Sequence, residues 1–435
     1  MLSPLRQATY ARLFSAQVAA LLGTGLATVA LGLLAHEIAG ANAGEILGAM
    51  LALKMVAYVA VAPVASALAA HAPRKTLLIA LDLVRAGVAA SLPFVSEPWQ
   101  IYALMTVLYV ASASFTPAFQ AMIPDVLPNE QDYTKALSLS RLASDLESVA
   151  SPVLAALLLS VLSFHQLFAG TALGFIASAL LVLATTFPAL RSAASRPFVR
   201  RLTAGLVLFL RTPRLRGLVA LSLASAAGGA MAFVNTVVLV QSEFGLDQQA
   251  TAWALAAFGL GSMIAAVSLP PLLDRFPDRR VMLAGALLMA ALLAIGRLVV
   301  RGYPGLMTMW ILLGAGYSMT LTPVGRVLRR SSQAEDRPAL FAAHFALSHA
   351  CWLIAYPVAG FVSASVGVDV AFLALACLCF VGAIGAALAW PSHESEQIAH
   401  RHDDLSADHP HHSGAVETHA HAYVIDELHR RWPPQ

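Results

Sequence analysis

The sequence predicts an all-α membrane protein: twelve transmembrane helices in two six-helix, pseudo-repeated bundles, with a histidine-rich tail. Three observations carry that expectation. The first is composition: 58% of the 435 residues are hydrophobic, only 12% are charged, and mean hydropathy is +0.72, which excludes an ordinary soluble domain. The second is the recurrence of long apolar stretches between short polar or Pro/Gly-bearing loops, each long enough as a helix to cross roughly 30 Å of hydrocarbon. The third is an internal repeat at an offset of about 205 residues: Pro73-Arg74-Lys75 matches Asp278-Arg279-Arg280, Pro152 matches Pro357, and Pro117 matches Pro323 with one residue of slip.

The apolar stretches fall at 12–38, 44–70, 76–95, 99–121, 134–162 and 167–188, then at 215–241, 249–273, 281–300, 305–326, 338–364 and 370–391. The expected units are an N-terminal bundle at 1–188, a basic linker at 189–214, a C-terminal bundle at 215–391 and a tail at 392–435. No cleavable signal pattern precedes the first stretch. Most of the 27 basic residues fall on one side of this arrangement, among them Arg6, Arg12, Arg74, Lys75, Arg200, Arg279, Arg280, Arg326 and Arg330. Glu97, Glu243, Asp247 and Asp369 fall on the other, with Arg301 as the basic residue there. The positive-inside rule then puts both termini in the cytoplasm of a multi-pass protein of the inner (plasma) membrane.

Several functions are excluded early. The lysines are Lys54, Lys75 and Lys135, and none follows a Walker-type glycine pattern, so ATP hydrolysis is not expected. Neither a nucleophile–base pair nor a catalytic metal motif is present, so an enzyme is not expected, nor is a cofactor. A net charge of +3 asks for no nucleic acid. Cys351, Cys377 and Cys379 lie in the last two stretches, where a disulfide is not expected. What remains is a monomeric carrier in a lipid bilayer, working downhill or coupled to an ion gradient, with its substrate between the two halves.

The repeated loops carry a family resemblance. Ser66–Lys75 keeps Leu68, Ala69 and the basic pair Arg74-Lys75 of the Gly-x-Leu-Ala-Asp-Arg-x-Gly-Arg-Arg loop of the major facilitator superfamily; the second copy keeps Asp274-Arg275 and Arg279-Arg280. The chain resembles that superfamily over roughly residues 5 to 391. The likeness implies gate roles for Arg74, Lys75, Asp274, Arg275, Arg279 and Arg280. Ser151-Pro152-Val153-Leu154-Ala155-Ala156 is similar to the Gly-Pro-x-x-Gly-Gly motif of proton-coupled antiporters, with other small residues for glycine, which implies helix packing at Ser151 and Pro152.

Charges at bilayer depth mark candidate sites. Lys54, Asp82, Arg85, Arg141, Asp145 and Glu147 all lie in the first half. Asp82 with Arg85 and Arg141 with Asp145 have the spacing of same-helix pairs. Glu147 and Lys54 have no such partner within their own stretches. Glu147 lies 13 residues into the fifth stretch, roughly 20 Å along a helix. Glu147 and then Asp145 are the expected proton-coupling residues, with Asp82 third; an alternative is a Glu147–Lys54 bridge that merely holds the fold. In the second half Asn235, His344, Ser348 and Cys351 form a possible substrate path, the last three sharing one helix face at i, i+4 and i+7, with His349 pointing elsewhere.

The tail holds nine of the fourteen histidines in its last 43 residues. His400 with His402, His409 with His411 and His412, and His419 with His421 repeat a His-x-His unit that suits nickel, zinc or cobalt. Val424, Ile425, Leu428 and Trp432 have helical spacing, so a short docking helix is expected at the end of an otherwise disordered tail. Carrier plus tail resembles the nickel-resistance efflux branch of the superfamily. That likeness implies proton-coupled antiport of a divalent transition metal or its small chelate; the competing expectation is export of an organic compound, a drug or siderophore, with an incidental tail. The cavity walls discriminate, imidazole and carboxylate against apolar and aromatic.

Overall fold

A computed structural model of the chain describes residues 2–39, 43–68, 72–187, 198–392, 398–400, 419–421, 423–425, 429 and 432. Helices α1 (Ala8–Ala39), α2 (Ala43–Leu68), α3 (Arg74–Ser91), α4 (Pro98–Val126), α5 (Glu130–Leu159) and α6 (Phe164–Leu183) form one group. The amphipathic α7 (Phe198–Arg211) leads into α8 (Pro213–Val237), α9 (Gln248–Arg275), α10 (Asp278–Ala294), the short α11 (Gly296–Val299), α12 (Tyr303–Leu321), α13 (Val324–Arg330), α14 (Arg337–Ser365) and α15 (Val368–Ala389).

Nine of the described helices are long and apolar enough, by length and composition, to cross a membrane. The other three long ones fall short for identifiable reasons. Within α5 stand Glu130, Asp132, Lys135, Arg141, Asp145 and Glu147. The next, α10, has 17 residues; α12 dilutes its leucines with Gly, Thr, Ser and Tyr. The ninth apolar stretch ends earlier than its hydropathy suggests. Helix α10 stops at Ala294, and Arg297 on α11 pairs with Glu243 at 2.8 Å and Asp369 at 2.5 Å, bracing the end of the molecule away from the chain's basic loops.

Helix starts are fixed by local chemistry. Gln100 accepts from the Glu97 N–H at 3.1 Å, and Gln166 accepts from the Ser163 N–H at 2.9 Å, two reciprocal caps at the starts of α4 and α6. Asn129 accepts from the Asp132 N–H to start α5, and Asp247 accepts from the Ala250 N–H to start α9. Gly367, at φ +109°, makes the turn between α14 and α15 that a Cβ would strain.

The same neighbours recur in both groups. Helix α1 packs on α5 and α6 as α8 packs on α14 and α15; α3 packs on α4 and α6 as α10 packs on α12 and α15. With one residue of slip, the repeat extends to single bonds. Lys75 Nζ donates to the Thr185 carbonyl at 2.9 Å beyond α6, and Arg279 Nε donates to the Trp390 carbonyl at 2.7 Å beyond α15. Each basic side chain satisfies a carbonyl at the end of the last helix of its own group.

Small residues bring helices close where no aqueous hydrophobic effect drives them together. A Cβ on Gly261 of α9 would overlap the Ile311 carbonyl oxygen of α12, and one on Gly314 would overlap the Phe258 carbonyl oxygen. Gly261→Val is therefore expected to lower stability by about 1–3 kcal/mol, read as a lower melting midpoint of the detergent-solubilised protein; an unchanged midpoint would contradict this crossing.

Two sequence expectations need correction. The stretch 189–214 contains α7, which packs along α14 and α2, and α8 begins at Pro213. Residues 423–425 have no helical or other regular structure, with Tyr423, Val424 and Ile425 buried; Leu428 lies outside the described residues. Arg214 Nη2 donates to the Tyr423 carbonyl at 3.4 Å, and its guanidinium lies 5.2 Å from the Trp432 ring. So the end of the chain docks as expected, but not as a helix in this segment.

Candidate functional site

Two layers of polar contact and a ring contact join the two groups, beginning at the end that carries the basic loops. At that end acids of the first group meet arginines of the second. Asp125, at the end of α4, takes Arg74 at 2.9 Å and also Arg337 at the start of α14. Glu130, at the start of α5, takes Arg326 at 3.1 Å and Arg330 at 2.5 Å, both from α13. The same two arginines hold Asp278, at the start of α10, at 3.0 and 3.2 Å. Arg326 also donates to the Thr134 hydroxyl at 2.6 Å, and Arg329 donates to the Pro128 carbonyl. Burial and the neighbouring Arg337 pull the Arg329 guanidinium below its usual range. Behind α13, Arg214 donates to the Ser331 hydroxyl at 2.7 Å and the Arg330 carbonyl at 2.6 Å.

Sequence reasoning missed most of this latch. Of the six residues expected at the gate, Arg74 reaches it, and Lys75 and Arg279 instead cap carbonyls within their own groups. Asp274, Arg275 and Arg280 are exposed and form no ion pair among the described residues. Ala69, Ala70 and His71 of the first loop copy lie outside the described residues. The available signal was the acids Asp125, Glu130 and Asp278 beside the α13 arginines, on the side where most of the basic residues fall.

The second layer is Arg141. It pairs with Asp145 one turn on, with Nε 3.1 Å from Asp145 Oδ2. The same Nε donates to the Ser262 hydroxyl of α9 at 3.2 Å, and the guanidinium lies 5.0 Å from the Tyr317 ring of α12. An intrahelical pair thus reaches across to the second group. By contrast, Asp82 and Arg85 are enclosed in the first group: the Ser178 hydroxyl donates to Asp82 at 2.8 Å, and Arg85 stacks on Phe115 and Phe175 at 4.0 and 4.5 Å.

Nearby, Tyr58 of α2 meets Phe345 and His349 of α14 at ring separations of 5.0 and 4.8 Å. His349 is the histidine that faces the opposite group. The i, i+4, i+7 set points away from it: His344 stacks on Phe209 of α7, Ser348 bonds its own helix at Phe345, and the Cys351 thiol lies 3.9 Å from the Val219 carbonyl of α8. Asn235 joins α8 to α14 through the Ala359 carbonyl at 3.3 Å. The spacing identified a shared face correctly but not its direction.

Glu147 lies beyond Arg141, roughly 26 Å along α5 from Glu130, and is only partly buried. The Ser151 hydroxyl donates to it at 3.3 Å. A Cβ on Gly25 of α1 would overlap Ser151 Oγ and stand 2.6 Å from Glu147 Oε1, so glycine makes this approach possible. Lys54 lies 5.6 Å from the Tyr58 ring, and no Lys54–Glu147 ion pair is present among the described residues. Pro357 lies inside α14, as expected from the repeat. On the second-group side of Arg141 is a run of rings that includes its partner Tyr317: Phe233, Phe258, Tyr317, Trp352 and Tyr356. Neighbouring centroids stand 5.4 Å apart for Phe233–Phe258, 6.0 Å for Phe233–Trp352 and 4.8 Å for Trp352–Tyr356.

In the tail, β1 (Ile398–His400) pairs antiparallel with β2 (His419–His421), placing His400 opposite His419. His402, His409, His411 and His412 lie outside the described residues. Among the described residues no group of three or more His, Cys, Asp or Glu side chains is placed to hold a metal.

Two repeated helical groups, latched at one end and lined by polar and aromatic side chains between them, define a membrane carrier. The chain belongs to the major facilitator superfamily, whose family model matches residues 13–247 and 218–405. It is a secondary transporter, as members of that family are, and not an enzyme. An uncharacterised MFS-type transporter of Bacillus subtilis, YfiS, is 24% identical over 334 residues, 73% of this chain and 78% of its own length. Macrolide efflux protein A of Enterococcus faecalis is 28% identical over 143 residues, 32% of this chain and 44% of that protein. Among solved structures, the human organic anion transporter MFSD10 (TETRAN) superposes with a TM-score of 0.76 at 14% identity, covering 87% of this chain and 99% of that one. FucP in its outward conformation superposes at 0.69 with 16% identity, covering 88% and 99%.

Proposed function

We propose that the chain is a proton-coupled exporter of an amphipathic organic compound. The observation that carries this reading is the five-ring wall from Phe258 to Tyr356, met from the first group by the Arg141 guanidinium, with the partly buried carboxylate of Glu147 further along the same helix α5. Rings present large apolar area to a substrate at low conformational cost, and a single partly buried carboxylate can exchange a proton as the cleft changes access. Partial similarity to macrolide efflux proteins supports export of a large organic molecule.

All twelve long helices cross the bilayer in this reading, because the charges of α5 are neutralised or lie in the cleft. Both termini face the cytoplasm, following the basic loops, and the latch of Asp125, Glu130 and the α13 arginines closes that side. Glu147 and the rings then open to the outer side of the inner membrane, and one copy of the chain suffices. A second reading, expulsion of nickel or another divalent metal, is favoured by the tail, where His400 stands opposite His419.

The test is an efflux panel of organic compounds and of Ni, Co, Zn and Cu, in cells carrying the full chain, a chain stopped after Pro391, or no chain. The first reading expects efflux of organic compounds by both chains; resistance to metals alone, lost with the tail, would replace it by the second. Within the panel, Trp352→Ala is expected to raise KM for a transported compound roughly tenfold, and an unchanged KM would remove the ring wall from the binding site.

A further inference from the structure

Helix α7 is placed where two spans enter the hydrocarbon. Its last residue, Arg211, is separated from α8 only by Thr212, and α8 begins a membrane-length helix at Pro213. Its middle is pressed to the start of α14: a Cβ on Gly205 would overlap the Ala339 carbonyl, two residues into that helix. Phe209 stacks on His344 of α14, and α7 also packs on α2. It therefore lies across the seam where a helix of each group meets.

The inward face is Gly205, Leu208 and Phe209. The outward face has two strips. Val199, Leu206 and Leu210, at i, i+7 and i+11, form an apolar one and are 69, 43 and 63% exposed. Arg200 and Arg211, again i and i+11, form an exposed basic strip turned about 100° from it. Water is a poor neighbour for the first strip and hydrocarbon for the second. Side by side, at the level where spans begin, they match the boundary between acyl chains and headgroups.

We infer that α7 is an interfacial helix that binds anionic phospholipid headgroups through Arg200 and Arg211 while Val199, Leu206 and Leu210 enter the acyl region. The bound lipids hold α7 across the α2–α14 seam, so the leaflet's charge biases closure of that seam. The inference rests on the membrane reading of the helices and not on the substrate.

The experiment uses the full chain with Cys377→Ser and an environment-sensitive label at Leu210→Cys, reconstituted in neutral phosphatidylcholine vesicles. A small fraction of brominated phosphatidylglycerol or brominated phosphatidylcholine is added as quencher. Quenching at residue 210 is expected from both, with phosphatidylglycerol enriched on the order of fivefold per arginine. The enrichment is expected to fall with added salt, to drop in Arg200→Gln and to vanish in Arg200→Gln/Arg211→Gln. Equal quenching by the two lipids in the parent chain would overturn the charge recognition. Absence of quenching at residue 210 would overturn the interfacial placement. Either result leaves the proposed transport function standing.

Discussion

An Arg326→Gln variant is expected to open the latched end of the carrier. Arg326 and Asp278 are 6 and 3% exposed, so removing the guanidinium strands a buried carboxylate that Arg330 alone then serves. Breaking a buried pair on one side costs about 3 kcal/mol or more. That cost falls on both conformations, because Arg326 and Asp278 lie in the same group; what the latched conformation alone loses is the bond to Thr134 and the pair with Glu130, about 1.5–3 kcal/mol and a shift of roughly tenfold to a hundredfold against it. Spin labels at the exposed positions Gln131 and Glu335, on opposite sides of the latch, would report it as a longer, broader distance distribution. A distribution identical to the parent's would mean that the latch does not set the conformational balance. The partly exposed Glu130 contacts should matter less, since exposed ion pairs contribute about 0–1 kcal/mol.

The second large effect is expected at Glu147. Glu147→Gln keeps the shape and the bond to Ser151 but cannot exchange a proton, so proton-driven accumulation in inverted vesicles should fall to background while downhill exchange of substrate persists. Gly25→Val should produce a similar loss by a different route, because its side chain would displace Ser151 and the carboxylate. Full proton-driven activity in the glutamine variant would remove Glu147 from coupling and leave the Arg141–Asp145 pair as the next candidate.

The fold was legible because its determinants are local and repeated. Apolar runs announce the long helices, and the prolines and basic pairs at an offset of about 205 residues announce the two groups. Lys75 and Arg279 make the same kind of bond in each group, one residue out of that register. The candidate site was only half legible. Same-helix pairs such as Arg141–Asp145 follow from spacing alone. The partners of Glu130 lie about 200 residues away on α13, a separation that no local pattern encodes. Helix α7 was read as a linker because its arginines outweighed its apolar period. His344 and His349 show the remaining gap: periodicity says which residues share a face, whereas the neighbours that decide where the face points come from other helices. The aromatic wall is the same case, five rings from four helices.

The latch also makes the two halves non-interchangeable. Asp125 and Arg330 stand 205 residues apart, the offset of the internal repeat, so they are counterparts in the two halves. Arg330 holds Glu130 and not Asp125. In a pairing of two first halves the place of Arg330 would be filled by Asp125, and acid would confront acid at that contact.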